Sequence, residues 1–260
     1  MGKFSLLGPS ESSIAIENSA ARGDIVIVCE HASPLIPPAL GELGLDRSAL
    51  TSHIAWDPGA LALARCLSSS LDALLYFQRY SRLVYDCNRP PEAASAIVGR
   101  SEIYEVPGNQ NLSEAERLAR VNEIYLPFRN GLSEILTTRR TQGRKTILVT
   151  IHSFTPVYFG KRRHVEIGIL HDADSALADA MLAEARKSDH RYLVIRNQPY
   201  GPQDGVTHTL MEHGIANGIP NVMIEVRNDL LASKDEQHAI ASLLASLIKS
   251  GAVALEARES

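Results

Sequence analysis

Ile25-Val26-Ile27-Val28-Cys29-Glu30-His31 is the stretch on which the reading of this chain turns. Four β-branched residues and a cysteine follow one another with no polar alternation, the pattern of a strand covered on both faces, as parallel sheets require. The run then stops on a carboxylate and an imidazole. In open α/β sheets, ligands gather beyond the carboxyl ends of the strands, so residues at that point are candidates for chemistry. Moving outward, Leu83-Val84-Tyr85 runs into Asp86-Cys87-Asn88-Arg89, residues 146–151 run into His152-Ser153, and Asn221-Val222-Met223-Ile224 runs into Glu225-Val226-Arg227. Further strands are expected at residues 165–170, 192–195 and 74–77.

Between these runs the apolar period is helical. Residues 58–75 carry alanines and leucines at i, i+3 and i+4, with Asp57-Pro58 as an N-cap and first-turn pair. Residues 113–136 open on the capping box Ser113-x-x-Glu116, and residues 173–187 and 234–250 complete the helices. Strands alternating with helices imply an α/β fold, a three-layer α/β/α sandwich around a mainly parallel mixed sheet. Residues 1–22 are expected to be a loose lead-in to a single domain, and residues 90–111, rich in Pro and Gly, a long loop of the functional kind.

Composition narrows the function. The chain has 260 residues, 45% hydrophobic and 22% charged, with a formal charge of -4 and no basic block, which argues against nucleic acid as a partner. No apolar run is expected to span a bilayer, and Glu11 and Glu17 interrupt any signal-like stretch, so the cytoplasm is the expected location. Cys29, Cys66 and Cys87 show neither disulfide nor zinc-knuckle spacing.

His31 and His152, in equivalent places after buried runs, are the leading metal ligands, since neutral imidazole binds zinc well and catalytic zinc uses three N/O ligands. The oxygen ligand is open between Asp57, which heads a helix, and Glu30, which adjoins His31 but should point to the opposite face. His53 is a weaker rival. Glu225 emerges from a buried run, where it is costly to keep ionised without a partner; beside a metal it suits general-base work, with Arg227 two residues on as its expected ion-pair partner and a further substrate contact. Asn88 and Arg89 offer an amide and a guanidinium for a substrate carboxylate, and Arg82 is either a second anion contact or a solvated edge residue. Residues 196–209 form either a rim for substrate choice or a structural turn. Ser153 lacks a G-x-S-x-G elbow, H-E-x-x-H is missing, and His164, His171, His190 and His238 lie in no special context, apart from His171-Asp172 ending a strand.

Taken together, Glu30-His31-Ala32-Ser33, Asp86-Cys87-Asn88-Arg89-Pro90-Pro91, His152-Ser153-Phe154 and Glu225-Val226-Arg227 resemble the N-formylglutamate amidohydrolase family, over roughly residues 25–248. That resemblance implies a fold similar to zinc carboxypeptidases and zinc-dependent amidases. It also implies one divalent metal, most simply Zn2+, on His31, Asp57 and His152, with Glu225 as base and Asn88-Arg89 as carboxylate clamp for a small anionic amide such as N-formyl-L-glutamate. Pro34 stands where the carboxypeptidase pattern has a glutamate, which keeps the oxygen ligand open. A hydrolase of another peptide or cell-wall amide, or a non-catalytic anion-binding protein on the same fold, are the alternatives.

Overall fold

The structure is a computed structural model and describes residues 5–259. In chain order, β1 (Ile14–Glu17) and β2 (Ile25–Cys29) precede the short α1 (Arg47–Thr51), then α2 (Ala60–Ser70) and β3 (Leu74–Gln78). β4 (Arg100–Ser101) and β5 (Tyr104–Glu105) form a small hairpin, and α3 (Glu114–Arg120) passes through a π-helical turn at Val121–Tyr125 into α4 (Leu126–Thr141). β6 (Ile147–Phe154), a second hairpin of β7 (Val157–Tyr158) and β8 (Lys161–Arg162), β9 (Ile167–Leu170), α5 (Ala176–Ala185), β10 (Val194–Arg196), β11 (Asn221–Arg227) and α6 (Lys234–Glu259) follow.

Seven strands make one mixed sheet in the order β1-β3-β2-β6-β11-β9-β10. The four central strands, β3, β2, β6 and β11, are mutually parallel; β1 at one side and β9 at the other pair antiparallel to their neighbours, and β10 runs parallel to β9. Alternation along β2 shows the three layers. Ile25, Ile27 and Cys29 pack under α2, α5 and α6, with Leu63, Leu177 and Leu244 among their partners. Val26 and Val28 pack on the opposite face with Tyr125, Phe128 and Leu132. Every residue of β2, β6 and β11 is buried, as strands covered on both faces require, including the polar His152 and Glu225.

Several elements differ from the sequence reading. The lead-in contains β1, a half-exposed edge strand too short to stand out by alternation. Residues 83–85 are not a strand: Leu83 is buried in a side cluster with Leu43, Ile54 and Val106, so their apolar character serves loop packing. The helix expected over 58–75 stops at Ser70 because residues 74–78 are needed as β3. The Ser113 capping box forms, and the helix beyond it runs on to Thr141. The last helix continues to Glu259, and within Lys234–Ala257 an 18-residue window reaches a mean hydropathy of 1.5, a value that the core helix of a globular domain also attains. Its buried residues, Ile240, Leu244, Leu247 and Ile248 among them, belong to the core.

Candidate active site

Three side chains from distant parts of the sequence meet at the carboxyl end of the central strands. His31 follows β2, His152 lies within β6 two residues before its end, and Asp57 sits in the turn that precedes α2. Nδ1 of His31 and Nδ1 of His152 are 3.2 Å apart, and Asp57 Oδ2 is 3.3 Å from the first and 3.0 Å from the second. All three residues are buried. A tetrahedral zinc with bonds of about 2.0–2.1 Å separates neighbouring donors by about 3.3 Å, so the three donor atoms have the spacing a zinc ion demands.

Local structure explains why Asp57 is free for this. It caps no helix, contrary to the expected Asp57-Pro58 pair: α2 starts after Gly59, whose φ is +84° and where a Cβ would stand 2.5 Å from that of Leu231. The Asp57 amide donates to the His31 carbonyl at 2.9 Å, which fixes the turn against the end of β2. Ser153 donates its hydroxyl to the Pro58 carbonyl at 2.7 Å, tying the same turn to β6 and occupying the hydroxyl.

Each imidazole turns its second nitrogen to a carboxylate, the arrangement that fixes ring orientation in metal-binding histidines. His31 Nε2 lies 2.7 Å from Asp86 Oδ1. His152 Nε2 lies 3.1 Å from Glu30 Oε2, close enough for an ion pair though off-line for a hydrogen bond. Glu30 therefore faces away from the three-donor cluster, as strand alternation requires, and Asp57 supplies the clustered oxygen. Burial pushes the Asp57 carboxyl up, but His31 and His152 outweigh it and hold the group well below its usual range. Burial would lower His152, yet Glu30, Asp57 and Glu225 raise it well above an ordinary histidine. So many carboxylates around two rings mark a pocket that calls for positive charge. A divalent ion on His31, Asp57 and His152 fits that donor set.

Glu225 stands on β11 in register with His152 on β6. It is buried, and its Oε2 has no hydrogen-bond partner. Burial, helped by Asp57 and opposed by His152, His31 and Arg82, raises its pKa to about 7. The expected ion pair with Arg227 does not form. Arg227 pairs with Asp229 at 2.8 Å and Glu166 at 3.5 Å and is not among the residues lining the cleft.

The expected carboxylate clamp is also divided. Asn88 spends its amide on the loop over residues 206–209, donating to the Val206 carbonyl at 2.5 Å and accepting from the Thr209 amide at 2.9 Å. Arg89 lines the cleft and, among the described residues, has no carboxylate partner; its Nη1 donates to the Asn88 carbonyl at 2.9 Å. Arg82 is neither a solvated edge residue nor a free anion contact. It bonds Asp86 at 2.7 Å and approaches Asp57 Oδ1 at 3.5 Å, bracing the carboxylate of the cluster and the carboxylate behind His31 together.

The cleft in front of this cluster has a volume of about 200 Å³. Residues 196–209 do contribute to it, through Tyr200 and Val206. The Tyr200 loop presses so closely on β9 that a Cβ on Gly168 would meet the Gln198 carbonyl oxygen at 1.9 Å. Burial, with Glu225 adding to it, raises the Tyr200 phenol to about 12, so it remains a hydrogen-bond donor at neutral pH. At the rim, Glu102 joins the two small hairpins: it lies 2.8 Å from His53 Nε2 and accepts from the Phe159 amide at 2.8 Å. His53 is thus a rim residue, not a metal ligand. His164, His171, His190 and His238 do not line the cleft. Sequence reasoning missed the supporting roles of Asp86 and Glu30, although both sit in the quoted motifs, and missed Glu102, which carries no signal in the sequence.

The sequence model of the N-formylglutamate amidohydrolase family matches residues 23–232, a span that holds every residue of the cluster. The chain belongs to the N-formylglutamate amidohydrolase family. Membership makes it a hydrolase of an amide C–N bond in a small substrate. Among solved structures, the chain is similar to gene product Atu2144 from Agrobacterium tumefaciens, with 56% identity over 95% of this chain and 97% of that one and a TM-score of 0.92. It is also similar to the N-formylglutamate amidohydrolase from Ralstonia eutropha JMP134, at a TM-score of 0.64 over 96% of this chain and 99% of that one; at 17% identity the likeness is one of fold. No curated protein matches the chain.

Proposed function

We propose that this member of the family is a soluble, cytoplasmic, zinc-dependent amidohydrolase that cleaves N-formyl-L-glutamate or a related N-acyl amino acid into a carboxylic acid and the free amino acid. The observation that carries the reading is the meeting of His31 Nδ1, His152 Nδ1 and Asp57 Oδ2 within 3.3 Å of one another, beside a buried glutamate with an unpartnered oxygen. His31, Asp57 and His152 hold the metal. Bound there, zinc acidifies water and polarises a carbonyl oxygen, the two services amide hydrolysis needs at neutral pH. Glu225 accepts the proton of the attacking water and returns one to the departing amine, work for which its buried carboxylate with an unpartnered oxygen is placed. Arg89 takes the substrate carboxylate and so fixes the amide relative to Glu225, turning binding into orientation. Asp86 and Glu30 keep the two imidazoles turned inward, and Arg82 keeps Asp57 in place. Three unpaired cysteines, Cys29, Cys66 and Cys87, accord with a reducing compartment.

The test joins metal analysis to one substitution. Protein purified without chelator and replenished with zinc is expected to carry one equivalent. Glu225→Gln is expected to keep that zinc and lose about 10²–10⁴-fold in kcat, the usual worth of a general base. Undiminished turnover in Glu225→Gln would remove Glu225 from the reaction. Failure to retain zinc would remove the metal.

A further inference from the structure

We infer that Arg163 decides which amino acid this enzyme releases: its guanidinium binds the side-chain carboxylate of an acidic N-acyl amino acid, while Arg89 holds the α-carboxylate. The inference rests on the amidohydrolase reading above and adds a specificity-determining residue to it. Arg163 is half-buried and closes the second hairpin, where its amide donates to the Pro156 carbonyl at 2.8 Å. From there its guanidinium carbon lies 4.4 Å from the ring centre of Tyr158, 4.8 Å from that of Tyr200 and 5.6 Å from that of Phe154. All three rings line the cleft, and so does Thr155, whose carbonyl Arg163 Nη1 approaches at 3.5 Å. The guanidinium thus abuts a wall of the same cleft that holds His31, Asp57 and Glu225.

Charge distinguishes this wall. Ring faces are electron-rich, so three aromatic side chains by themselves would repel a carboxylate. A cation lodged against them reverses the sign of the wall. Contact with rings occupies the flat faces of a guanidinium and leaves its N–H donors, which lie in the plane, for an anion. No carboxylate among the described residues pairs with Arg163. Arg82, by contrast, is engaged by Asp86 and Asp57. Glu102, the acidic group at the rim, is engaged by His53 and the Phe159 amide. Among the described residues at the cleft, two cations therefore remain for the substrate, Arg89 in the turn after residue 86 and Arg163 at the foot of the hairpin. Their number matches an N-acyl amino acid with two carboxylates, each of which needs a partner where water is displaced.

The experiment compares N-formyl-L-glutamate with its near-isosteric amide N-formyl-L-glutamine on the zinc-loaded full chain, for the parent protein, Arg163→Gln and Arg89→Gln. The parent is expected to favour the glutamate derivative about tenfold or more in kcat/KM, the worth of one hydrogen bond to a charged group. Arg163→Gln is expected to erase that preference, mainly by raising KM for the glutamate derivative, whereas Arg89→Gln is expected to raise KM for both derivatives and keep it. A preference that survives Arg163→Gln, however far both rates fall, makes Arg163 a support of the rings alone and overturns the inference. A parent protein without the preference overturns it as well, and either result leaves the amidohydrolase reading intact. If neither derivative is cleaved while zinc is bound, the N-acyl amino acid reading itself falls, and the inference with it.

Discussion

Replacing Asn88 with alanine separates two roles that one residue type can play. As a substrate clamp, Asn88 would leave stability unchanged when truncated and raise KM. The structure instead spends both ends of its amide on the backbone, on the Val206 carbonyl and the Thr209 amide. Thr209 and the Asn88 side chain are buried, so Asn88→Ala strands a backbone donor and a backbone acceptor. At about 1–3 kcal/mol for each unsatisfied buried group, the two together cost about 2–6 kcal/mol. A chain of this size loses about 2–4 °C of Tm per kcal/mol, which places the fall at about 4–24 °C. Activity should drop as well, because the loop carries Val206 into the cleft wall and Thr209 beside Glu30, which in turn faces His152. Thermal melting of the zinc-loaded variant, followed by steady-state kinetics below its transition, reads both effects. An unchanged Tm with KM raised tenfold or more would refute the reasoning and return Asn88 to the substrate.

Two further perturbations probe the surroundings of the site. His213 is buried, and burial lowers its pKa to about 4 from 6.5, so the native state refuses a proton that the unfolded chain accepts. Its contribution to stability is therefore complete above pH 6.5 and lost as pH falls from 6.5 toward 4, by about 3 kcal/mol at most. His213→Gln should flatten that limb of a urea-denaturation series, and an identical pH profile in the variant would exclude His213 as its source. Arg120 is fully buried and still charged at neutral pH, burial lowering its pKa to about 10; it donates to the Val84 carbonyl at 3.1 Å, Asn109 Oδ1 at 2.6 Å and the Gly108 carbonyl at 3.2 Å. Arg120→Met keeps the volume but leaves three acceptors unpaired, so a loss of about 3 kcal/mol is expected from chemical denaturation. A midpoint equal to that of the parent protein would show that these bonds contribute nothing.

What could be read from the sequence followed from burial. Strands covered on both faces have no choice but continuous apolar residues, so β2, β6 and β11 were legible, and with them the positions of His31, His152 and Glu225. Leu83-Val84-Tyr85 satisfies the same pattern for a different reason, since a loop that sends Leu83 against Leu43, Ile54 and Val106 and Val84 and Tyr85 into the core with Val28 and Tyr125 also needs apolar residues. Periodicity cannot tell these cases apart over three residues. Side-chain partners were the least legible. Arg227 shares a strand face with Glu225 by alternation, but at the end of β11 Asp229 and Glu166 lie within its reach and take it. Asn88-Arg89 reads as a pair in sequence, yet neighbouring residues in a turn point apart, and the structure sends one amide to a loop and the guanidinium to the cleft. Glu102 depends on where two hairpin tips come together, which no local pattern encodes.

Strand alternation also explains how the three-donor cluster is supported. Glu30 and His31 are adjacent and so cannot serve one ion from the same strand end. Val28 pairs with Thr150 across β2 and β6, and two residues further along this register Glu30 comes level with His152. The alternation that excludes Glu30 as a co-ligand of His31 thus delivers it to the far nitrogen of the other histidine. Asp86 does the same for His31 from a separate turn. Each ring has a carboxylate facing its Nε2 and its Nδ1 turned inward, so the chain itself sets the geometry of the three donors. The cost of burying those carboxylates is offset by the same rings they orient, which links the stability of the strand ends to the charge state of the site.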